Sequence, residues 1–289
     1  MTSGAQTLKH LTLNGSGQTL KLGSNLTVGG AYTQTKGIVN INGNTLTLSG
    51  TATLASSAAN GSTTGSSTSN LAVSATAITN SLFMTVGSQM LNNLTLNGSS
   101  TLTLGTPLTV GGAFTQSSGT LSLGTQTLTL NGAVTFPASA AGVIKGSISC
   151  TFALNATSIT NPLFMDQTTV GTSNAIKFFT LNSAGQTLTL GNNLVAYTGG
   201  TYTHTNGIVN LNGKTLTLNG SISFASAIAN GSYTGSSASS ISIGGSTAGT
   251  ITNSLLMTQT SSSTNSLRAL VLNRNTKTLI QKITFHKRS

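Results

Sequence analysis

The sequence predicts an all-β fold, a single right-handed parallel β-helix (β-solenoid), and three observations predict it. Leucine and threonine alternate in short runs such as LTL and TLTL, glycine and asparagine punctuate those runs every six to eight residues, and the pattern recurs along almost the whole chain. Alternation at period two marks a strand with one face buried. Glycine and asparagine are turn formers that tolerate positive φ. Helices are not expected, because apolar residues do not recur at i, i+3, i+4 and the helix-favouring residues Glu, Lys and Arg are nearly absent.

Three long units align along most of their length. QTLKLGSNLTVGGAYTQ (18–34) matches STLTLGTPLTVGGAFTQ (100–116) and QTLTLGNNLVAYTGGTYTH (186–204), while ITNSLFM (78–84), ITNPLFM (159–165) and ITNSLLM (251–257) close each unit. The strand that opens a unit is LTLN at Leu11, LTLN at Leu94, FTLN at Phe179 and LVLN at Leu270, so the long periods are 83, 85 and 91 residues. This divides the one domain, 1–289, into long repeats 11–93, 94–178 and 179–269 and a partial repeat 270–289.

A shorter rhythm runs inside each unit. Leu11, Tyr32, Ala52, Leu71 and Leu94 stand 21, 20, 19 and 23 residues apart, room for three short strands and three turns. That spacing predicts about 20 residues per coil, four coils per long repeat and about thirteen coils in all, a column on the order of 60 Å long at strand spacing. An antiparallel sandwich or barrel also uses short, evenly spaced strands. Near-identical triplets every twenty residues favour stacking instead, because each residue then lies on its equivalent one coil away, ~4.8 Å distant. In this register Leu11, Leu13, Leu94, Leu96, Phe179, Leu181, Leu270 and Leu272 form the structural core. Thr12 and its equivalents face outward, and Asn14 with Gly15 turns the corner. Full burial of each Leu contributes on the order of 1.5 to 3 kcal/mol.

Composition narrows the function classes. Only 4% of residues are charged, against roughly 25% in an ordinary soluble domain. Net charge is +11, from twelve Lys and Arg against the single acid Asp166. Six of the twelve (Arg268, Arg274, Lys277, Lys282, Lys287, Arg288) fall in the last 22 positions and the rest are scattered. The excess reflects missing acids more than a basic patch, so nucleic acid is not the expected partner. No window approaches the ~20 apolar residues of a membrane helix. MTSGAQTLKH lacks the apolar region of a signal peptide, and after RNTKTL the repeat gives way to IQKITFHKRS. Both ends fit a piece of a larger protein, and the basic tail reads as the product of a truncated or frame-shifted gene rather than a cap.

The runs NLTLNGSSTLTLGTPLTVGG, GSSTSNLAVSATAITNSLFMT and LFMDQTTVGTSNAIKFFTLNSAGQTLTLG resemble the β-strand repeats of very large secreted surface proteins of Bacteroidetes and related bacteria. The resemblance covers residues 9 to about 278. It implies an adhesin-like, extracellular or cell-surface protein carried by type IX secretion. The implied role is a structural or adhesive segment, a stalk or adhesin without catalysis. The implied partners are extracellular glycans or other surfaces held by weak, multivalent contacts, together with end-to-end self-association.

The residues themselves argue against chemistry. Hydrolases and lyases built on β-helices need clustered carboxylates or carboxylate-bound calcium, and one Asp with no Glu supplies neither. No cofactor or metal site is expected. Cys150 is the one cysteine, which excludes a disulfide framework. His10, His204, His286 and Asp166 leave Ser/His/Asp catalysis formally open, yet the repeat reads each slot as architectural. His204 takes the place of Gln34 and Gln116, Asp166 that of Thr85 and Thr258, and Cys150 that of Ser69 and Ser239. GSGQTLKLG and GVIKGS are glycine-rich but lack the phosphate-loop pattern.

Three features bear on binding. Tyr32, Phe114 and Tyr202 recur at equivalent sites and read as core rather than a sugar-stacking platform. Lys9, Lys177 and Arg268 precede the opening strand of a unit, with Asn92 in that slot of the second unit. Outward threonines in TLT suggest an alternative, an ice-binding or glycan-binding solenoid. Ice-binding arrays need such threonines on the same face of nearly every coil, and here the triplet skips coils and changes face.

Overall fold

A computed structural model describes residues 4–245, 249–258, 261 and 263–273. The chain is all-β, a parallel β-solenoid of about ten turns with about 23 residues in each. It divides into two compact units, Met1–Ile144 and Lys145–Ser289. Every strand pair detailed below is parallel, which removes the antiparallel sandwich and barrel.

In the first unit one sheet stacks Gln6–Leu8, Leu26–Val28, Thr45–Leu48, Asn70–Val73, Asn93–Leu96, Phe114–Gln116 and Ala133–Thr135. Its inward column runs Leu26, Leu46, Leu71, Leu94, Phe114, Val134, each opposite the next. A second sheet stacks Leu11–Lys21, Ala31–Asn40, Thr51–Thr53 and Ala77–Thr79, with Leu11 opposite Tyr32, Tyr32 opposite Ala52 and Ala52 opposite Ile78. The remaining sides carry Ser81–Leu82, Thr101–Leu104 and Gly119–Ser122, and Met90–Leu91, Leu108–Val110 and Thr127–Leu130. Alternation produces this directly. In Thr45–Leu48 the burial pattern is half-buried, buried, half-buried, buried, with Leu46 and Leu48 inside.

Two expectations about the coil are corrected. Leu71 does not follow Ala52; it lies on Leu46, 25 residues back. The segment between Leu54 and Asn70 contributes a third strand, Gly61–Thr64, that an apolar pattern cannot reveal, because its inward side chain, opposite the buried Val39, is Thr63. Turns are therefore longer than 20 residues, and a long repeat does not close four of them. It ends between whole turns, so the next repeat starts on another sheet: Leu11 sits on the second sheet and its homologue Leu94 on the first.

The second unit repeats the plan. Phe152, Phe179, Tyr202, Ile222 and Ile251 form one inward column, and Leu194, Leu216, Ile241 and Leu270 form another. Phe179 and its homologue Leu270 thus also occupy different columns.

The assigned core residues divide by position. Leu94, Leu96, Phe179 and Leu181 are at most 4% exposed. Leu11 and Leu13 are half-buried, as is Leu270, while Leu272 is 40% exposed. These last four lie on strands with a described neighbour on one side only. Corners are tight: a Cβ on Gly132 would fall 1.9 Å from the Gly112 carbonyl oxygen, which is why glycine stacks on glycine at this turn. Residues 274–289, and with them the basic tail and His286, lie outside the described residues.

Candidate functional site

Gln34, Gln116 and His204 occupy one architectural slot in three successive repeats. Each points inward and reaches the carbonyl of the glycine three residues on. Gln34 Nε2 donates to Gly37 O, Gln116 Nε2 to Gly119 O and His204 Nε2 to Gly207 O, all at 2.8 Å. The three glycines have φ of 94°, 74° and 102°, the left-handed region that turns the chain there. The turn aims a backbone carbonyl at the interior, and a buried carbonyl needs a donor. The slot residue supplies it. Gln34 and Gln116 each donate a second bond, to Ser62 O and Val143 O on the following turn.

The slots differ in their remaining atom. Gln34 Oε1 accepts from Tyr32 Oη at 3.0 Å. Gln116 Oε1 is buried with no partner, because Phe114 stands where Tyr32 stands and carries no hydroxyl. In His204 the carbonyl acceptor fixes the proton on Nε2, leaving Nδ1 buried and unpartnered. Burial lowers the imidazole's pKa, and the bond to Gly207 opposes this only in part. The Tyr233 ring meets it edge-on, centroids 5.1 Å apart. Tyr233 Oη donates to Tyr202 Oη at 3.0 Å, and burial pushes both phenols far above their ordinary range.

The other candidates are not brought together. Cys150 is fully buried, its Sγ bonded to the backbone of Ser147, and burial raises its thiol pKa. Asp166 Oδ1 accepts from Thr168 N at 2.8 Å, and Oδ2 lies 3.8 Å from Lys145 Nζ. His10 is exposed, with Nδ1 accepting from Ala31 N. Among the described residues no three of His, Cys, Asp and Glu cluster in a way that could hold a metal ion. The lining of the first unit's interior void, about 10 Å³ between Tyr32, Ala52, Leu71 and Ile78, is almost wholly apolar. Tyr32, Phe114 and Tyr202 are at most 2% exposed, interior fillers as the sequence suggests.

The outward face departs from its sequence reading. Homologous triplets do change sheet, but neighbouring strands of other origin fill the gap. On the first sheet Thr7, Thr27 and Thr47 stack in register, Ala72 interrupts, and Thr95, Thr115 and Thr135 continue. On the second sheet Thr12, Thr33, Thr53 and Thr79 do the same. Threonine columns therefore exist that single-repeat inspection misses. Of the basic positions, Lys9 and Arg268 are exposed, and Lys177 Nζ sits 5.4 Å over the Phe178 ring.

No family model, curated protein or solved structure matches this chain.

Proposed function

We propose that this chain is a structural, adhesive segment of an extracellular bacterial surface protein, a stalk or adhesin that works through its surface and catalyses nothing. One observation carries the reading. Its buried nucleophile and imidazole, Cys150 and His204, are sealed in the interior, while the outward ladders present neutral hydroxyls and amides in register. Each exposed hydrogen bond contributes little, about 0.5 to 1.5 kcal/mol net. Useful binding therefore comes from many contacts at once, which suits extracellular glycans or other extended surfaces. End-to-end association between copies belongs to the same reading. The scarcity of charge argues against nucleic acid.

Coupling the purified chain to beads at graded density tests this. Retention on glycan-coated and mineral surfaces is expected to rise steeply with density and to persist in high salt, since few ion pairs are available to be screened. Retention that collapses with added salt would indicate an electrostatic partner instead, and turnover of a glycan substrate would end the non-catalytic reading.

A further inference from the structure

We propose that the outward side of the first sheet in unit Met1–Ile144 is an ice-binding face, its partner the ordered water lattice of an ice surface. The inference rests on the reading that this chain acts through its surface, and it names one partner for one face.

Thr27, Thr47, Thr95, Thr115 and Thr135 share a single column, with Ala72 in its one gap. Parallel pairing sets their repeat at about 4.7 to 4.9 Å, close to a repeat of the oxygen lattice in hexagonal ice. None of these hydroxyls bonds to another described residue, so each can enter a lattice without breaking a protein contact. Threonine is stiff at χ1, which keeps hydroxyl and methyl in place before binding and lowers the ordering cost.

Beside part of the threonine column runs a companion column, two residues before Thr27, Thr47, Ala72 and Thr95: Asn25, Thr45, Asn70 and Asn93. Here the polar atoms are tied to one another and to the backbone. Asn25 Oδ1 accepts from Thr45 N at 2.8 Å, Asn93 Nδ2 donates to Asn70 Oδ1 at 2.8 Å, and Asn93 Oδ1 accepts from Ala113 N at 2.7 Å. One column is thus held rigid by the protein while the other is left free for a partner at the same repeat.

Two further properties select ice over a glycan or a charged polymer. No outward residue between Asn25 and Thr135 on these strands is charged, so no ion imposes its own hydration shell. The aromatics that could stack on a sugar, Tyr32 and Phe114, are buried on the opposite side of their strands. A partner without charge or stacking faces, periodic and dense in donors and acceptors, is what remains.

The experiment is ice-affinity partition and thermal hysteresis with the purified full chain, a Thr95→Tyr/Thr115→Tyr double variant, and Thr129→Tyr on a different sheet. The wild type is expected to enter growing ice and depress its freezing point. The double variant should lose both effects with unchanged thermal melting, and Thr129→Tyr should match the wild type. If the double variant melts earlier, Thr115→Val, which removes the hydroxyl at constant volume, is expected to weaken hysteresis alone. Exclusion of the wild type from ice, or undiminished partition of the folded Thr95→Tyr/Thr115→Tyr or Thr115→Val variant, overturns the proposal. Exclusion from ice with continued retention on glycan or mineral beads would leave the adhesive reading standing; loss of both would remove the two together.

Discussion

The two units solve the same interior problem with different side chains. In the first, Gln34 and Gln116 donate to the glycine carbonyls; in the second, His204 does so at the same 2.8 Å. The position thus demands an N–H donor of suitable reach rather than a particular residue. What changes is the liability attached to it. Glutamine is neutral at every pH, whereas the second unit acquires an imidazole that must stay neutral to remain buried.

The largest effect tests whether the units are otherwise equivalent. Leu96→Asp in the first and Leu181→Asp in the second replace homologous, fully enclosed leucines, and each is expected to cost on the order of 4 kcal/mol or more. The outward Thr95→Asp should stay within about 1 kcal/mol. Chemical denaturation of the three variants checks this, and equal tolerance of Leu96→Asp and Thr95→Asp would contradict the inward register.

The next effect separates the units by pH. His204 has a folded pKa below its unfolded value, so the unfolded state binds the extra proton first. The neutral histidine's contribution is complete above the unfolded value of about 6.5 and is lost as pH falls below it toward the lowered folded value. Hydrogen exchange is therefore expected to show 201–234 opening in mild acid while the first unit's slots hold. His204→Gln, which installs the first unit's solution, should flatten that acid limb; an unchanged acid limb in His204→Gln would place the sensitivity elsewhere.

A smaller effect compares slots within the first unit. Phe114→Tyr offers Gln116 Oε1 the hydroxyl that Tyr32 gives Gln34, and should raise stability by about 1 kcal/mol. Tyr32→Phe is expected to lower it by a similar amount, both read as shifts in denaturation midpoint. Smallest of all, Ala52→Val reaches into the void of about 10 Å³ and should gain less than about 1 kcal/mol; a loss would mean that Tyr32 and Ile78 already close the space.

Much of this fold can be read from the letters alone. Leu-Thr-Leu alternation, glycine corners and the pairing of Leu11 with Tyr32 and of Tyr32 with Ala52 follow from period and side-chain chemistry. Gly61–Thr64 does not, because its inward residue, Thr63, is polar, and its other face is covered through hydroxyl bonds from Ser62 and Thr64 to Thr85 at 2.8 and 2.9 Å, a distant partner that no hydropathy pattern encodes. That hidden strand displaced Leu71 by a full side of the coil. Alignment marked His204 as a replacement for glutamine, but its bond to a backbone carbonyl appears only once the turn is built. The threonine columns were obscured for a related reason: they join residues from non-homologous parts of different repeats.

The mismatch between repeat length and turn length has a consequence for growth by duplication. When a gene segment of this kind is copied in tandem, its daughter does not land above its parent but comes to rest a fraction of a revolution further round. A useful patch invented once would be dealt out to successive sides rather than enlarged in place. Only chemistry shared by nearly every strand survives that shuffling as an unbroken line, and here the shared chemistry is threonine.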